Sequence, residues 1–462
     1  MLYEYLREQM LQNPRQTLSD DSRSITYKKA LEFVESFSKN LTENKYGILC
    51  STKLNDALAI LSCIVANVTA VPLFKGYGEA HTNKIVQNVQ ISHLITDETG
   101  VLSIKKIRDK IQEPEDLSDV AFIISTSGTT GMSKGAMITH ENLISTMRDR
   151  AFHLGISEHD TMLISTPMCH SATLIGRFLI PLCNGTKIVF YNDEFSPAKL
   201  IHSMIESKAT VFGGTPTSIY YLCRLIKKQQ KVLPIRTLYV GGECMLKSVA
   251  KQLRETFENS EIYHIYGLTE AGPRVSLLPP NLFEQFPQSI GSPFKNLEVK
   301  CERDELLVRG VSVMKGYYNA PEYTKKAIIN GWLHTGDAAK IDELGKITIK
   351  GRMDEMIIRA GINIYPQEIE NALKRDPRII DVLASGKRDI GVTQKLHIQV
   401  VADRLTQKDL MSICTKVLRP YEIPDTVELM NKLPYSKSGK LIRPKMWDDN
   451  NVQSKKSGVM GV

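Results

Sequence analysis

Short apolar runs alternate with amphipathic stretches over roughly the first 260 residues of the chain. Runs of this kind, bounded by polar residues and turn formers, are typical of buried strands. They occur at 47–50, 70–74, 93–96, 120–125, 162–165, 187–191, 210–213 and 237–240. Apolar residues at helical spacing predict helices between them at 57–66, 83–89, 197–207 and 247–257. The repetition of strand, helix and strand predicts largely parallel sheets with helices on both faces.

The pattern changes after about residue 285. Half-exposed strands are predicted at 305–309 and 346–350, with a hairpin-type turn at 342–345. Beyond this region, Pro366 suits the first turn of a helix that runs to Lys374. Further strands are predicted at 380–384 and 396–401, and a further helix at 408–417.

These patterns predict an α/β protein of two domains. The large N-terminal domain covers residues 1–351 and includes a small β subdomain from about 286 to 351. A small α+β C-terminal domain covers 352–447, and the polar segment 448–462 is expected to be a flexible tail.

Composition narrows the class of protein. The 462 residues are 42% hydrophobic and 24% charged, which is typical of a globular chain with more than one core. No apolar stretch approaches the roughly 18 residues that cross a bilayer, and we expect a cytoplasmic protein with no membrane span. The eight cysteines lie far apart without a Cys-x-x-Cys pair, which favours reduced thiols over disulfides or a zinc site. The net charge of +8 is diffuse, so a nucleic-acid partner is not expected.

A phosphate-binding loop is predicted directly after the apolar run at 120–125. Residues 126–135 read Thr-Ser-Gly-Thr-Thr-Gly-Met-Ser-Lys-Gly. Glycines let the main chain approach an anion, hydroxyl and backbone N–H groups donate hydrogen bonds, and the lysine adds charge. The order Ser-Lys-Gly differs from the Gly-Lys-Ser/Thr of the ordinary P-loop. The candidate phosphate contacts are Thr126, Ser127, Gly128, Thr129, Thr130, Gly131 and Lys134.

Four further segments, taken together with the loop, form a specific set of motifs. They are Tyr-Gly-Leu-Thr-Glu at 266–270, Gly-Trp-Leu-His-Thr-Gly-Asp at 331–337, Gly-Arg-Met-Asp-Glu at 351–355, and Ser-Gly-Lys at 438–440. In this order the set resembles the AMP-forming adenylating enzymes. That superfamily includes acyl- and aryl-CoA synthetases, adenylation domains of nonribosomal peptide synthetases, and beetle luciferases. The resemblance runs from Ile25 to Lys440.

The resemblance implies ATP and Mg²⁺ as cofactors. Thr269 would donate to the α-phosphate, and Glu270 would be a magnesium ligand, since a carboxylate and phosphate oxygens make a hard oxygen site. Tyr266, followed by Gly267, would lie near the adenine. A buried capping Thr-Glu pair is the structural alternative.

Three further roles follow from the later segments. Asp337 would accept hydrogen bonds from the ribose hydroxyls, and Arg352 would reach the ribose or a phosphate; the alternative is a surface Asp–Arg pair. Asp354 would be the hinge about which the C-terminal domain rotates. Lys440 would bridge the attacking carboxylate and the phosphate during adenylation, where positioning and electrostatics do most of the catalysis.

The second half-reaction and the acid pocket are less defined. Gly361 would let a pantetheine thiol approach, either that of CoA or that of a carrier protein. His170 is a candidate gate of the thiol tunnel, or equally a packed core histidine. Gly214 and Gly242 are expected in the wall of the acid pocket. Residues 171–174 contain no acid to hold an ammonium group, so an aryl or acyl acid is expected rather than an α-amino acid.

The sequence therefore predicts an ATP-dependent carboxylic acid ligase that passes its acyl group to CoA or to a carrier-protein phosphopantetheine. A stand-alone adenylation enzyme of a nonribosomal peptide or siderophore pathway remains an alternative, as does a luciferase-type oxygenase. A non-catalytic nucleotide sensor is the alternative of another class, which the retained lysines and carboxylates disfavour.

Overall fold

The structure is a computed structural model that describes residues 2–109, 113–126, 134–151, 154–191, 196–359, 362–387, 395–435 and 441–443. Its contacts divide the chain into two compact units. The first comprises Met1–Thr335 and Ile341–Thr348, and the second comprises Gly336–Lys340 and Ile349–Val462. Elements are labelled in chain order.

Most of a large mixed sheet belongs to the first unit; residues 336–340 and 349–352 of two of its strands belong to the second unit. Five strands pair in parallel: β9 (Thr161–Ile164), β10 (Lys187–Phe190), β11 (Val211–Gly214), β12 (Thr237–Gly241) and β13 (Glu261–Tyr266). Strands β14 (Ser276–Leu278) and β15 (Ser289–Pro293) continue the sheet in antiparallel fashion. The β-rich region predicted from about residue 286 is therefore joined to this sheet. In spatial order the strands are β16 (Leu297–Glu302), β17 (Glu305–Gly310), β20 (Trp332–Ile341), β21 (Ile347–Arg352), β15 (Ser289–Pro293), β14 (Ser276–Leu278), β13 (Glu261–Tyr266), β12 (Thr237–Gly241), β11 (Val211–Gly214), β9 (Thr161–Ile164), β10 (Lys187–Phe190), β1 (Thr17–Ser19) and β2 (Ser24–Thr26), with β19 (Ile328–Ile329) on β20.

A second sheet of the first unit carries the phosphate-loop segment. Its central strands β3, β4, β5 and β7 pair in parallel, as predicted, but β6 and β8 return antiparallel to β5 and β7. In spatial order the strands are β18 (Gly316–Tyr317), β8 (Lys134–Thr139), β7 (Val120–Thr126), β4 (Thr69–Phe74), β3 (Lys45–Cys50), β5 (His93–Glu98) and β6 (Val101–Lys106).

Helices cover these sheets. The helix α3 (Leu54–Ala66) is buried on every side, since each residue from Leu54 to Ile64 is buried. Its start is fixed by the Asp56 carboxylate, which accepts from the backbone N–H of Lys53 at 2.9 Å. The helices of the first unit are α1 (Leu2–Gln12), α2 (Tyr27–Phe37), α3 (Leu54–Ala66), α4 (Glu79–Asn88), α5 (His140–Ala151), α6 (Ser171–Thr173), α7 (Ile180–Cys183), α8 (Pro197–Glu206), α9 (Pro216–Gln229), α10 (Lys247–Thr256), α11 (Pro280–Phe283) and α12 (Pro321–Ala327).

The second unit is a small α+β fold with its own core. A sheet of β24 (Ile379–Lys387), β25 (Lys395–Ala402) and β26 (Thr426–Leu429) packs against α13 (Pro366–Leu373) and α14 (Gln407–Val417). The hairpin β22 (Ile357–Arg359) and β23 (Ile362–Ile364) precedes them. The helices and strands predicted for this region are all present. Each is buried on one face only, so its apolar residues recur with the period of a strand or of a helix and the two are easily told apart.

A buried ion pair holds the last described segment to this core. Arg443 donates through both terminal nitrogens to Glu370, at 2.6 and 2.8 Å, and Glu370 is 3% exposed. The same carboxylate accepts from the backbone N–H of Ala384 at 2.8 Å.

We predict that Arg443→Met destabilises the second unit by about 3 kcal/mol, because a buried carboxylate then loses its counter-ion. Hydrogen–deuterium exchange of peptides spanning 366–387 should become markedly faster. The matched control is Arg378→Met, which breaks an exposed pair with Asp376 and should leave exchange unchanged. Equal exchange in the two variants would contradict the assigned role of the buried pair.

Candidate functional site

The carboxyl ends of three adjacent parallel strands define one edge of the large sheet. Strands β11, β12 and β13 end at Gly214, Gly241 and Tyr266. A Cβ atom at Gly241 would lie 2.2 Å from the carbonyl oxygen of Ile265. Only glycine therefore fits at this position, where β12 and β13 lie very close to each other. Gly242 follows with a φ of +88°. The structure thus places the predicted residues Gly214, Gly242 and Tyr266 at the edge where open α/β sheets bind ligands.

The turn after β13 carries the two predicted catalytic residues of the first unit. A Cβ at Gly267 would lie 2.0 Å from the carbonyl oxygen of Pro273, because the chain folds back tightly onto β14. Thr269 and Glu270 lie in the 3-10 turn Thr269–Ala271 at the tip of this fold. The carbonyl oxygen of Glu270 accepts from the N–H of Met314 at 2.8 Å, which fixes the main chain behind the carboxylate.

Thr269 also contacts the segment that follows His170. Its hydroxyl lies 2.8 Å from that of Ser171, so the two share a hydrogen bond. His170 itself precedes the helical residues Ser171–Thr173, and its carbonyl oxygen accepts from the N–H of Thr173 at 2.9 Å. The structure therefore brings the His170 segment to the predicted α-phosphate residue. Both interpretations of the His170 side chain, thiol gate and packed histidine, stay open.

The phosphate-loop segment joins two paired strands. Thr126 at the end of β7 is the register partner of Lys134 at the start of β8. Residues 127–133 lie outside the described residues, so the predictions for Ser127, Gly128, Thr129, Thr130 and Gly131 stay predictions. Both ends of the segment are fixed by the sheet, since Ser125 likewise pairs with Gly135.

Two tyrosines hold the ammonium group of Lys134. Its Nζ lies 5.1 Å from the ring centroid of Tyr317 and 4.2 Å from that of Tyr323, within cation–π range. The hydroxyl of Tyr317 donates to Oε1 of Glu270 at 2.9 Å. Burial lowers the pKa of Lys134, and the negative charge of Glu270 opposes that shift. Tyr317 therefore links the loop lysine and the predicted magnesium ligand.

Tyr317 and Tyr323 were not among the site residues predicted from the sequence. Strand β18 places Tyr317 beside β8, where the N–H of Tyr318 donates to the carbonyl oxygen of Gly135 at 2.8 Å. The N–H of Tyr317 donates to the hydroxyl of Thr324 in α12 at 2.8 Å, and α12 carries Tyr323. The sequence did contain a local signal for these two elements. Gly-Tyr-Tyr-Asn-Ala-Pro at 316–321 is typical of a short extended segment followed by the start of a helix with proline in its first turn.

The second unit contains the remaining described residues of the prediction. Arg352 donates to Asp337 at 3.0 Å and to Asp354 at 3.2 Å. Burial disfavours the guanidinium charge, but the two carboxylates raise the pKa of Arg352 above its ordinary value. Asp337 and Arg352 thus form an ion pair in which Asp337 is largely buried, whereas the alternative was a pair at the surface. The ribose role of Asp337 stays a prediction. Lys440 and Gly361 lie outside the described residues; Tyr435 and Leu441, on either side of the lysine segment, form a β-bridge.

The carboxylates near the candidate site suit a metal ion that binds together with the substrate. Within the part of the chain that the structure describes, no three His, Cys, Asp or Glu side chains cluster as a metal site. Glu270 offers a single carboxylate. This arrangement fits Mg²⁺, which binds through one or two carboxylates together with substrate phosphates rather than in an all-protein cage.

We predict that Tyr317→Phe weakens Mg²⁺-dependent nucleotide binding. The ring over Lys134 stays, but Glu270 loses the hydrogen bond that orients its carboxylate, a charge-assisted bond of about 1.5–3 kcal/mol. Calorimetry with Mg·ATP should show an affinity roughly 10- to 100-fold lower. Tyr323→Phe is the matched control, since it also keeps its ring over Lys134. Equal affinity in both variants would show that the Tyr317 hydroxyl does not position Glu270.

Comparison with known proteins reveals similarity over most of the chain. The chain is 29% identical over 450 residues to a long-chain-fatty-acid–CoA ligase of Escherichia coli O157:H7, covering 86% of this chain and 78% of the relative. It is 27% identical over 413 residues to a 2-succinylbenzoate–CoA ligase of Bacillus velezensis, covering 86% and 82%.

The fold is also that of known structures. The o-succinylbenzoate CoA synthetase (MenE) of Bacillus subtilis, solved with an acyl-adenylate intermediate, superposes with a TM-score of 0.82 at 24% identity and covers 95% of this chain and 96% of the synthetase. ATP-bound MatB from Rhodopseudomonas palustris gives 0.83 at 21% identity, with 95% and 96% covered.

Family models match both parts of the chain. The AMP-binding enzyme model covers residues 6–318, and the model of the AMP-binding enzyme C-terminal domain covers 368–440. No described helix has the combination of length and hydropathy that a membrane crossing requires. The resemblance drawn from the motifs is confirmed, and the chain belongs to the AMP-binding enzyme family, the superfamily of AMP-forming adenylating enzymes.

Proposed function

We propose that this enzyme is an ATP-dependent acid–CoA ligase. A carboxylate attacks the α-phosphate of ATP, which gives an acyl-adenylate and releases pyrophosphate. The thiol of CoA then attacks the acyl carbon, and AMP leaves with the electrons of the cleaved acyl–phosphate bond while the thiol proton is released. The observation that carries this proposal is that Tyr317 contacts both Lys134 and Glu270, while Thr269, next to Glu270 in the chain, is hydrogen-bonded to Ser171.

Each of these groups has chemistry suited to the first half-reaction. The Lys134 ammonium, kept between two aromatic rings, places positive charge beside the leaving phosphates. The Thr269 hydroxyl is fixed by Ser171 and donates where charge develops on the α-phosphate. Glu270 would hold Mg²⁺ on the nucleotide, and the ion would neutralise phosphate charge. Asp337 remains the proposed acceptor for the ribose hydroxyls, with Arg352 beside it.

For the acyl acceptor and the carboxylic acid, we propose only the chemical class. The two relatives named above are CoA ligases for long-chain fatty acids and for 2-succinylbenzoate, which favours CoA and an acyl or aryl acid. Transfer to a carrier-protein phosphopantetheine is the alternative acceptor. The cytoplasm stays the expected compartment.

Carboxylate-dependent ATP–pyrophosphate exchange with magnesium tests the first half-reaction. We expect exchange with at least one acid of a panel of fatty, aryl and amino acids, and thioester formation when CoA is added. Exchange without thioester formation from CoA would favour a carrier protein. ATP binding without exchange for any acid would contradict the ligase function and favour a nucleotide sensor.

A second test concerns Lys440, whose role rests on the Ser-Gly-Lys register. We propose that it acts in adenylation only, so Lys440→Ala should slow adenylate formation by about 100- to 1000-fold, the effect of removing one preorganised donor. Thioester formation from a chemically prepared adenylate should change less than a few-fold. Lys437→Ala, three residues away, is the matched control. An equal loss in both half-reactions would refute the assignment.

A further inference from the structure

An arginine that the sequence analysis did not single out lies beside Gly213, the neighbour of Gly214, which is expected in the wall of the acid pocket. Arg177 belongs to the helical segment Leu174–Leu179, which continues from His170. Its side chain lies across the end of β11, where a Cβ on Gly213 would be 2.7 Å from the arginine Nε. The absence of a side chain at Gly213 therefore makes room for the guanidinium at the ligand-binding edge of the sheet.

The guanidinium of Arg177 has only a neutral partner in the described part of the chain. Its Nη1 donates to the hydroxyl of Thr166 at 2.8 Å, and that hydroxyl lies 2.6 Å from the hydroxyl of Thr173. Among the residues that the structure describes, no carboxylate lies within ion-pair distance of Arg177. A guanidinium carries five N–H donors, so one bond to a hydroxyl leaves donors for a planar anion.

A second guanidinium strengthens the positive potential at this point. Arg274 is 4% exposed, lies 5.1 Å from the ring centroid of Tyr239, and donates to the carbonyl oxygen of Gly176. Burial, and then the charge of Arg274, lower the pKa of Arg177 to about 10. Burial lowers the pKa of Arg274 to about 10 as well. Both groups stay protonated at neutral pH, and a bound anion would relieve their repulsion.

The position of Arg177 relative to Thr269 determines how far an anion bound by Arg177 would lie from the reacting carboxylate. Ser171 contacts Thr269, which the proposed function places at the α-phosphate. Arg177 is six residues further along the same helical segment. Ser171–Thr173 is α-helical and Leu174–Leu179 is π-helical, so Arg177 lies fewer than two helical turns beyond Ser171.

We propose that the substrate is a dicarboxylic acid, an acyl or aryl acid whose second carboxylate is bound by Arg177 while its first is adenylated. This inference rests on the proposed function and specifies its substrate class. The second carboxylate accepts hydrogen bonds from Arg177, with the Thr166 and Thr173 hydroxyls beside it. A carboxylate suits this site because its two coplanar oxygens match the guanidinium edge.

Matched pairs of acids test the proposal in the ATP–pyrophosphate exchange assay. 2-Succinylbenzoate and 4-oxo-4-phenylbutanoate differ only by the ring carboxylate, and hexanedioate and hexanoate differ by the terminal one. We expect the diacid of at least one pair to be favoured by 30-fold or more in kcat/KM. Preference for the monoacids in both pairs would overturn the second-carboxylate site and leave the ligase function intact. ATP binding without exchange for any acid would overturn both.

Substitution of Arg177 separates a binding role from a structural one. Arg177→Gln should raise KM for the preferred diacid by about 30- to 300-fold and change kcat/KM for its monoacid by less than 3-fold, while Arg177→Lys should recover part of the diacid activity. Arg224→Gln, on the exposed face of α9, is the control and should match the wild type. Equal losses for diacid and monoacid in Arg177→Gln would assign the arginine to packing. If that variant does not fold, the wild-type preference decides the question.

Discussion

The candidate site depends on one polar contact between two parts of the first unit, the hydrogen bond from Tyr317 to Glu270. Glu270 lies in the turn after β13 of the large sheet, whereas Tyr317 lies in β18 of the second sheet. The same tyrosine places its ring against Lys134. A carboxylate and an ammonium group of opposite charge are therefore kept close to each other without a direct ion pair, and both retain capacity for phosphate and metal.

The scaffold around this contact resists rearrangement. Tyr318, next to Tyr317, receives a hydrogen bond from the buried Lys45 ammonium at 2.7 Å, and Glu113 forms an ion pair with that lysine at 2.6 Å. Because breaking a buried charge network leaves an uncompensated charge, this anchor fixes strand β18 firmly. The turn that carries Glu270 is fixed by tight backbone packing at Gly267. Preorganised groups of this kind stabilise developing charge without reorganising during the reaction.

Much of the fold could be predicted from the sequence, and two omissions close to the candidate site have a common cause. Buried parallel strands such as Val120–Thr126 and amphipathic helices such as Lys247–Thr256 have periodic apolar patterns. Strand β8 and strand β18 were not predicted, because one directly follows a loop rich in glycine and hydroxyl groups and the other is only two residues long. Their conformation follows from pairing partners distant in sequence, which local propensity does not record. Further elements were also missed. They are the helices α1, α2, α5, α6, α7, α9, α11 and α12, and the strands β1, β2, β6, β13, β14, β15, β16, β19, β20, β22, β23 and β26.

The sequence alone determined the family and the α/β fold class, because five motifs in a fixed order are specific in a way that no single motif is. The domain bounds and the roles of the nucleotide-site residues stay predictions. Only the tertiary structure decided which groups meet. It placed Tyr317 and Tyr323 on Lys134, paired Asp337 with Arg352, and set Arg177 against Gly213 at the end of β11. Hydrogen bonds, cation–π contacts and the repulsion between buried charges act over a few ångströms. Their partners are therefore chosen by packing between segments far apart in the chain, and a linear pattern does not contain that information.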